Sequence, residues 1–159
     1  MILLDDDCTV VTWTFFCFSK KIGFIKPVGQ QHVPVQTNKG NTVRVDKDVE
    51  LIKEHFHLDH LDYESMSPII IPSGYTKDYV DGKISFQAQV KDLQAAMHHV
   101  SQASDITVLE GTGHCAVGSI VGLNNAKAAS LLGADMVRTG FQPLHMCHNA
   151  SKFPFSLNH

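Results

Sequence analysis

Asp105-Ile106-Thr107-Val108-Leu109-Glu110-Gly111-Thr112-Gly113 (DITVLEGTG) is the stretch on which the fold turns. Asp105 to Leu109 form a short, nearly continuous apolar run that leads into a glutamate and two glycines. A strand with one wet face alternates apolar and polar residues; this one does not. The run therefore predicts a strand buried on both faces, as in a parallel sheet. Glu110 then falls at the carboxyl end of that strand, where open α/β sheets bind ligands. A glutamate there can hold Mg2+, and flanking glycines let backbone amides approach a phosphate. The same letters also describe a tight turn with a solvated carboxylate, so spacing alone leaves both readings open.

Working outward from this strand, Ile84, Phe86, Val90, Leu93, Met97 and Val100 make an apolar stripe at helical spacing from about Lys83 to Ala103. On the other side, Asn124 can cap a helix through Leu132, Gly133 can end it, and Ala134 to Val137 begins another strand. Helix, strand, loop, helix, strand is α/β alternation around a parallel sheet. Further upstream, Val45, Val49, Ile52 and Phe56 predict an amphipathic helix started by Asp46 or Asp48 and ending near His57. Ser65 to Tyr75 reads as a loop with a short extended piece, because two prolines and a glycine surround its isoleucines. Thr9 to Phe18 and Lys21 to Val28 are strand candidates, the second ended by proline and glycine. Beyond Arg138 periodicity stops, and residues 138–159 are expected to be a weakly ordered tail.

The 159 residues are 43% hydrophobic and 18% charged, a globular composition sized for one domain. A formal charge of -3 supplies no field for neutralising phosphates along DNA or RNA, so no nucleic-acid partner is expected. Cys8, Cys17, Cys115 and Cys147 form no C-x-x-C pair, which argues for reduced thiols and against a zinc ribbon or disulfide framework. The apolar stretch Cys8 to Phe18 is too short to span a bilayer, and Asp5, Asp6 and Asp7 reverse the basic start of a signal peptide. The expectation is a protein of the cytoplasm or an organelle interior, neither secreted nor membrane-bound.

Taken together, Phe24-Ile25-Lys26-Pro27-Val28-Gly29, Asp48 within DKDVELIKE, and Val108-Leu109-Glu110-Gly111-Thr112-Gly113 stand in a known order. They resemble dethiobiotin synthetase, cobyrinic acid a,c-diamide synthase and the amino-terminal domain of long phosphate acetyltransferases. The phrases KPVGQQHVPV, SPIIIPSGYTKDYVDGKIS and EGTGHCAVGSIVGLNNAKAASLLGADMV extend that resemblance over most of the middle of the chain. It implies a three-layer, parallel-sheet P-loop NTPase-like domain. It also implies ATP and Mg2+ as cofactors, a nucleotide or small carboxylate as ligand, and a homo-oligomer as a possible assembly. By the same resemblance Lys26 and Glu110 are the catalytic residues, with Lys26 on a phosphate or a substrate carboxylate. Asp48 and Glu110 are the carboxylates around Mg2+, and Gly111, Thr112 and Gly113 line the cofactor.

Relatives of this kind open with a glycine-rich loop ending in Gly-Lys-Thr, and no G-x-x-x-x-G-K-[ST] occurs here. The one Gly-Lys pair, Gly82-Lys83, is followed by Ile84. The expected organisation is an atypical segment over 1–21 in place of the phosphate loop, a partial domain over 22–137, and the tail. On that reading the domain is incomplete at both ends, as a mis-joined or truncated gene product would be, and impaired as an enzyme.

Two other classes compete. His55-Phe56-His57-Leu58-Asp59-His60 spells the H-x-H-x-D-H of metallo-β-lactamase-type zinc hydrolases, with His114 in the place of their later zinc histidine. Those motifs follow an apolar strand, whereas this one follows the charged pattern DKDVELIKE and suits a solvated helix end. The third class is a non-catalytic interaction module, since an incomplete sheet leaves edges that need covering.

Overall fold

Strand β5, Ile106–Glu110, lies inside a sheet whose strand order is β2-β5-β1-β6, with every pairing parallel. The computed structural model describes residues 2–4, 20–37, 40–113 and 116–137. Its other sheet strands are β1 (Ile2–Leu4), β2 (Ile22–Ile25) and β6 (Asp135–Val137). Register sets Ile25 against Leu109 and Leu4 against Glu110, so β1, β2 and β5 all end at the same carboxyl edge.

Between β2 and β5 the chain forms a hairpin and four helices. The hairpin pairs β3 (His32–Gln36) antiparallel with β4 (Thr42–Asp46). Helices α1 (Lys47–His55), α2 (Tyr63–Met66), α3 (Tyr75–Val80) and α4 (Phe86–Gln102) follow. After β5 come the short α5 (Ala116–Ser119) and α6 (Asn125–Leu132).

Both faces of β2 and β5 are covered, as an unalternating run requires. Phe24 and Val108 belong to a core with Val45, Val49, Ile52 and Met66. Ile25 and Leu109, one residue on, belong to a second core with Leu93, Met97, Leu123 and Ala129. Successive strand residues face opposite sides, so the two cores sandwich the sheet. The α/β parallel-sheet class expected from sequence is the class observed.

The helix boundaries follow their caps. Asp46 starts α1 by accepting the Asp48 N–H, Ser85 starts α4 by accepting the Ala88 N–H, and Asn124 starts α6 by accepting the Lys127 N–H. Gly133 ends α6 at φ 62, a left-handed conformation that glycine adopts without strain. The stripe on α4 needs one amendment. Gln89 is buried, whereas Val90 is only half-buried. The Gln89 amide compensates by accepting from the Tyr75 hydroxyl (3.2 Å) and donating to the Val121 carbonyl (3.3 Å).

The segment expected as a loop over Ser65 to Tyr75 begins inside α2 and ends at α3, and its middle is extended. Lys26 N–H donates to Met66 O, Gly29 N–H to Ile69 O, and Ile71 N–H to Gly29 O. It covers the outer edge of the chain beyond β2, which would otherwise be open to pairing. The strand expected over Thr9 to Phe18, His114 and the tail over 138–159 lie outside the described residues. Among the described residues no helix is long and apolar enough to cross a membrane.

Candidate functional site at the carboxyl edge of the sheet

Lys26 is the first residue after β2, and Glu110 is the last of β5, so parallel pairing sets them side by side at the carboxyl edge. Asp48 comes from the first turn of α1, and Asp46 from the junction of β4 with α1. All three carboxylates converge on one ammonium. Lys26 Nζ donates to Asp48 Oδ2 and lies 3.4 Å from both Glu110 Oε1 and Asp46 Oδ1.

Lys26 is only 8% exposed. Burial opposes its charge, but Glu110, the hydrogen bond to Asp48 and the fields of Asp46 and Asp48 outweigh that and push its pKa up to about 12. Lys26 is therefore a fixed cation at physiological pH. A buried lysine without such neighbours would shift the other way.

The sequence-derived residues Lys26, Asp48 and Glu110 are thus brought together, and the structure adds Asp46 to them. Lys26, Asp46 and Asp48 line a cavity of about 210 Å³, together with Gln30, Thr112 and Gly113, and Glu110 reaches it only through its contact with the Lys26 ammonium. Thr112 is part of that lining, and Gly111 precedes it in the chain. Thr112 N–H donates to Asn125 Oδ1 (2.9 Å), and Asn125 Nδ2 donates back to Thr112 O (2.9 Å). The Thr112 amide, a candidate for phosphate contact, is therefore held by a side chain 13 residues on. Gly113, by contrast, is exposed.

Asp48 and Glu110 provide the hard oxygen donors that Mg2+ prefers. Mg2+ at nucleotide sites is commonly held through one or two carboxylates, the remaining positions being water and phosphate. Both side chains are donors of that kind, and both already lie against the Lys26 ammonium.

The histidine motif does not assemble. His55 ends α1 with its ring edge-on to Phe56, 4.8 Å between centroids. His57 is exposed at φ 51, and His60 Nε2 lies 3.1 Å from Ile22 O. Among the described residues no three His, Cys, Asp or Glu side chains are grouped to hold a metal.

A larger cavity of about 520 Å³ opens between α4, α6 and the start of β5. It is at the opposite end of β5 from Glu110, and its one carboxylate, Asp105, already accepts the Lys21 N–H at 2.9 Å. Ligands of open α/β sheets bind at carboxyl ends, so the smaller cavity is the candidate site.

Sequence reasoning missed two participants. Asp46 was legible only as a helix starter, although an Asp-x-Asp that closes a strand and opens a helix places both carboxylates near one point. Asn125 carries no local signal at all, because its partner is a backbone remote in sequence.

No curated protein matches the chain. Residues 8–137 match the AAA domain family AAA_26, a P-loop family, and the chain belongs to that family.

Proposed function

We propose that this chain is a P-loop domain related to the synthetases that use ATP to activate a carboxylate or carbamate, with the metal side of its site kept and its phosphate cradle lost. The convergence of Asp46, Asp48 and Glu110 on Lys26 carries this reading. In phosphoryl transfer the protein mainly positions groups and neutralises charge. Asp48 and Glu110 suit Mg2+, and Lys26 suits a phosphate or the substrate carboxylate. The order of KPVG, DKD and EGTG along the chain, as in dethiobiotin synthetase and cobyrinic acid a,c-diamide synthase, supports the same reading.

The impairment rests on the sequence between β1 and β2. It contains no glycine, and three aspartates follow β1 directly. The phosphate cradle of a P-loop is a run of backbone N–H groups that a glycine-rich turn aims at one point. Hydrogen bonds to charged groups contribute about 1.5–3 kcal/mol each. Loss of even two of them weakens binding on the order of 10²- to 10⁴-fold. The 210 Å³ cavity suits a small carboxylate or a single phosphate group better than a whole nucleotide.

Calorimetry with Mg2+ and ATP tests this. The expected result is no saturable ATP binding at micromolar protein, with divalent cation binding that is lost in Asp48→Asn and Glu110→Gln. Tight Mg2+-dependent ATP binding, abolished in Lys26→Ala and Glu110→Ala, would show that the missing loop is not decisive.

A further inference from the structure

We propose that Asp46 is the positioning residue of this site: its single carboxylate sets Lys26 and Asp48 relative to one another and does not itself take a ligand. The inference rests on the functional reading above and adds a residue to it.

Asp46 is the most enclosed of the three acids. Its side chain is 3% exposed, against 31% for Asp48 and 16% for Glu110. Both of its oxygens are engaged by donors from different parts of the chain. Oδ1 accepts the Asp48 N–H at 3.1 Å and lies 3.4 Å from Lys26 Nζ. Oδ2 accepts the Gln30 N–H at 3.0 Å. The Asp46 backbone is tied in turn, its N–H donating to Ser67 Oγ at 3.0 Å.

One carboxylate therefore joins the segment after β2, which carries Lys26, to the first turn of α1, which carries Asp48. The close approach of Gly29 reinforces the point. A Cβ there would lie 2.5 Å from Asp46 Oδ2 and 2.7 Å from Asp46 Cβ. Gly29 does not have a positive φ, so the turn does not demand glycine; the carboxylate does.

Helix capping does not account for this arrangement. Asn and Ser cap helices about as well as Asp, and capping needs one acceptor atom and no charge. The second oxygen and the negative charge are used on Gln30 and Lys26. An exposed capping aspartate would have neither contact.

The full-length chain carrying Asp46→Asn or Asp46→Ser keeps a good cap and removes the charge. The first readout is the Lys26 ammonium resonance in a nitrogen-labelled sample, assigned with Lys26→Arg. Its position and its hydrogen-exchange rate report the ion pairing of Nζ directly. The second readout is Mn2+ affinity by electron paramagnetic resonance.

Both variants are expected to shift the Lys26 resonance and speed its exchange while circular dichroism stays native. Mn2+ affinity is expected to fall on the order of tenfold, as for groups that orient a metal ligand, and to vanish in Asp48→Asn. An unchanged Lys26 resonance in both variants would make Asp46 a cap only. Loss of Mn2+ as complete as in Asp48→Asn would make it a ligand. Either result overturns the proposal. If neither charge-removing variant folds, Gly29→Ala displaces the carboxylate without removing its charge, and the same Lys26 shift is expected; its absence would count against the proposal. Should the wild type bind no Mn2+, the functional reading fails while the Lys26 resonance still decides the role of Asp46.

Discussion

Lys26 and Glu110 are neighbours across two parallel strands, with Nζ 3.4 Å from Oε1, at the edge where Asp46 and Asp48 also converge. The pair thus links β2 to β5 by charge as well as by backbone pairing. Its pH dependence follows from the direction of the lysine shift. The folded pKa is about 12 against 10.5, so folding favours the protonated amine. That contribution is whole below about pH 10.5 and is lost as pH rises through about 12. One and a half pKa units correspond to about 2 kcal/mol. Urea unfolding of the wild type between pH 9 and 12 is expected to lose stability more steeply than unfolding of Lys26→Met. Equal slopes would mean that the lysine is not held by its acids in solution.

Removing the ammonium has a second effect, at neutral pH. Lys26→Met leaves three carboxylates facing one another in a partly enclosed space. Like charges at such separations disfavour ionisation, so Lys26→Met is expected to be destabilised at pH 7 and to recover on mild acidification. Thermal unfolding at pH 5 and pH 7 checks this. A variant whose melting temperature does not rise toward pH 5 would contradict the convergence.

Next to Thr112 of the cavity wall, Gly111 and Asn125 are packed too closely for any side chain at position 111. A Cβ there would lie 2.6 Å from Asn125 Nδ2 and 2.8 Å from Asn125 Cγ. Gly111→Ala is expected to cost about 1–3 kcal/mol by overpacking. Asn125→Ala removes the obstacle and also the Thr112 hydrogen bonds. The double variant should be less unstable than the two single effects summed, because the clash exists only when both side chains are present. Chemical denaturation of the four proteins measures the coupling, and simple additivity would rule out the clash.

The legibility of the fold varied with how local its causes are. The β5 run, the α4 stripe and the Asn124 and Gly133 caps of α6 were readable because each is a pattern within a few residues. The hairpin was not. Pro34 stands in the middle of β3, and proline in a run argues against a strand unless, as here, the residue is exposed on a small two-stranded sheet. Strand β1 is three residues long, and Asp5 to Asp7 after it masked its apolar character. At the site, Lys26, Asp48 and Glu110 were found through motif order. The fourth charge, Asp46, was hidden by its second role as a helix cap. Gln89 was hidden because a polar side chain on a buried face is signalled only by the partners that satisfy it.

Asp62 offers an acid-side counterpart to Lys26. It caps α2 by accepting the Ser65 N–H at 2.7 Å and pairs with His99 on α4 at 2.9 Å. Burial alone would raise its pKa, but the hydrogen bonds from Ser65 and the charge of His99 outweigh that and lower it below 3.8. A depressed carboxylate stabilises the fold above its unfolded pKa, near 3.8, and loses that contribution as pH falls through the folded value. Asp62→Asn keeps a capping side chain and removes the charge. Its urea midpoint is expected to fall less than that of the wild type between pH 5 and pH 2.5. Parallel decline of the two proteins would mean that the contact is silent.

The histidine motif yields the last prediction, because its spelling and its geometry disagree. A zinc hydrolase needs His55, His57 and His60 to present imidazoles to shared ions. Here the His60 ring nitrogen meets the Ile22 carbonyl at 3.1 Å, and the His55 ring packs edge-on to Phe56. Carbonyl contact requires the Nε2 position to carry a hydrogen, which a metal ligand at that nitrogen cannot have. Protein purified without chelators is therefore expected to contain zinc well below one equivalent, unchanged in His55→Ala/His57→Ala. His60→Ala should instead lower stability slightly, by about 0.5–1.5 kcal/mol for one hydrogen bond. Stoichiometric zinc that disappears with His55 and His57 would restore the hydrolase reading and displace the P-loop site as the centre of this protein's chemistry.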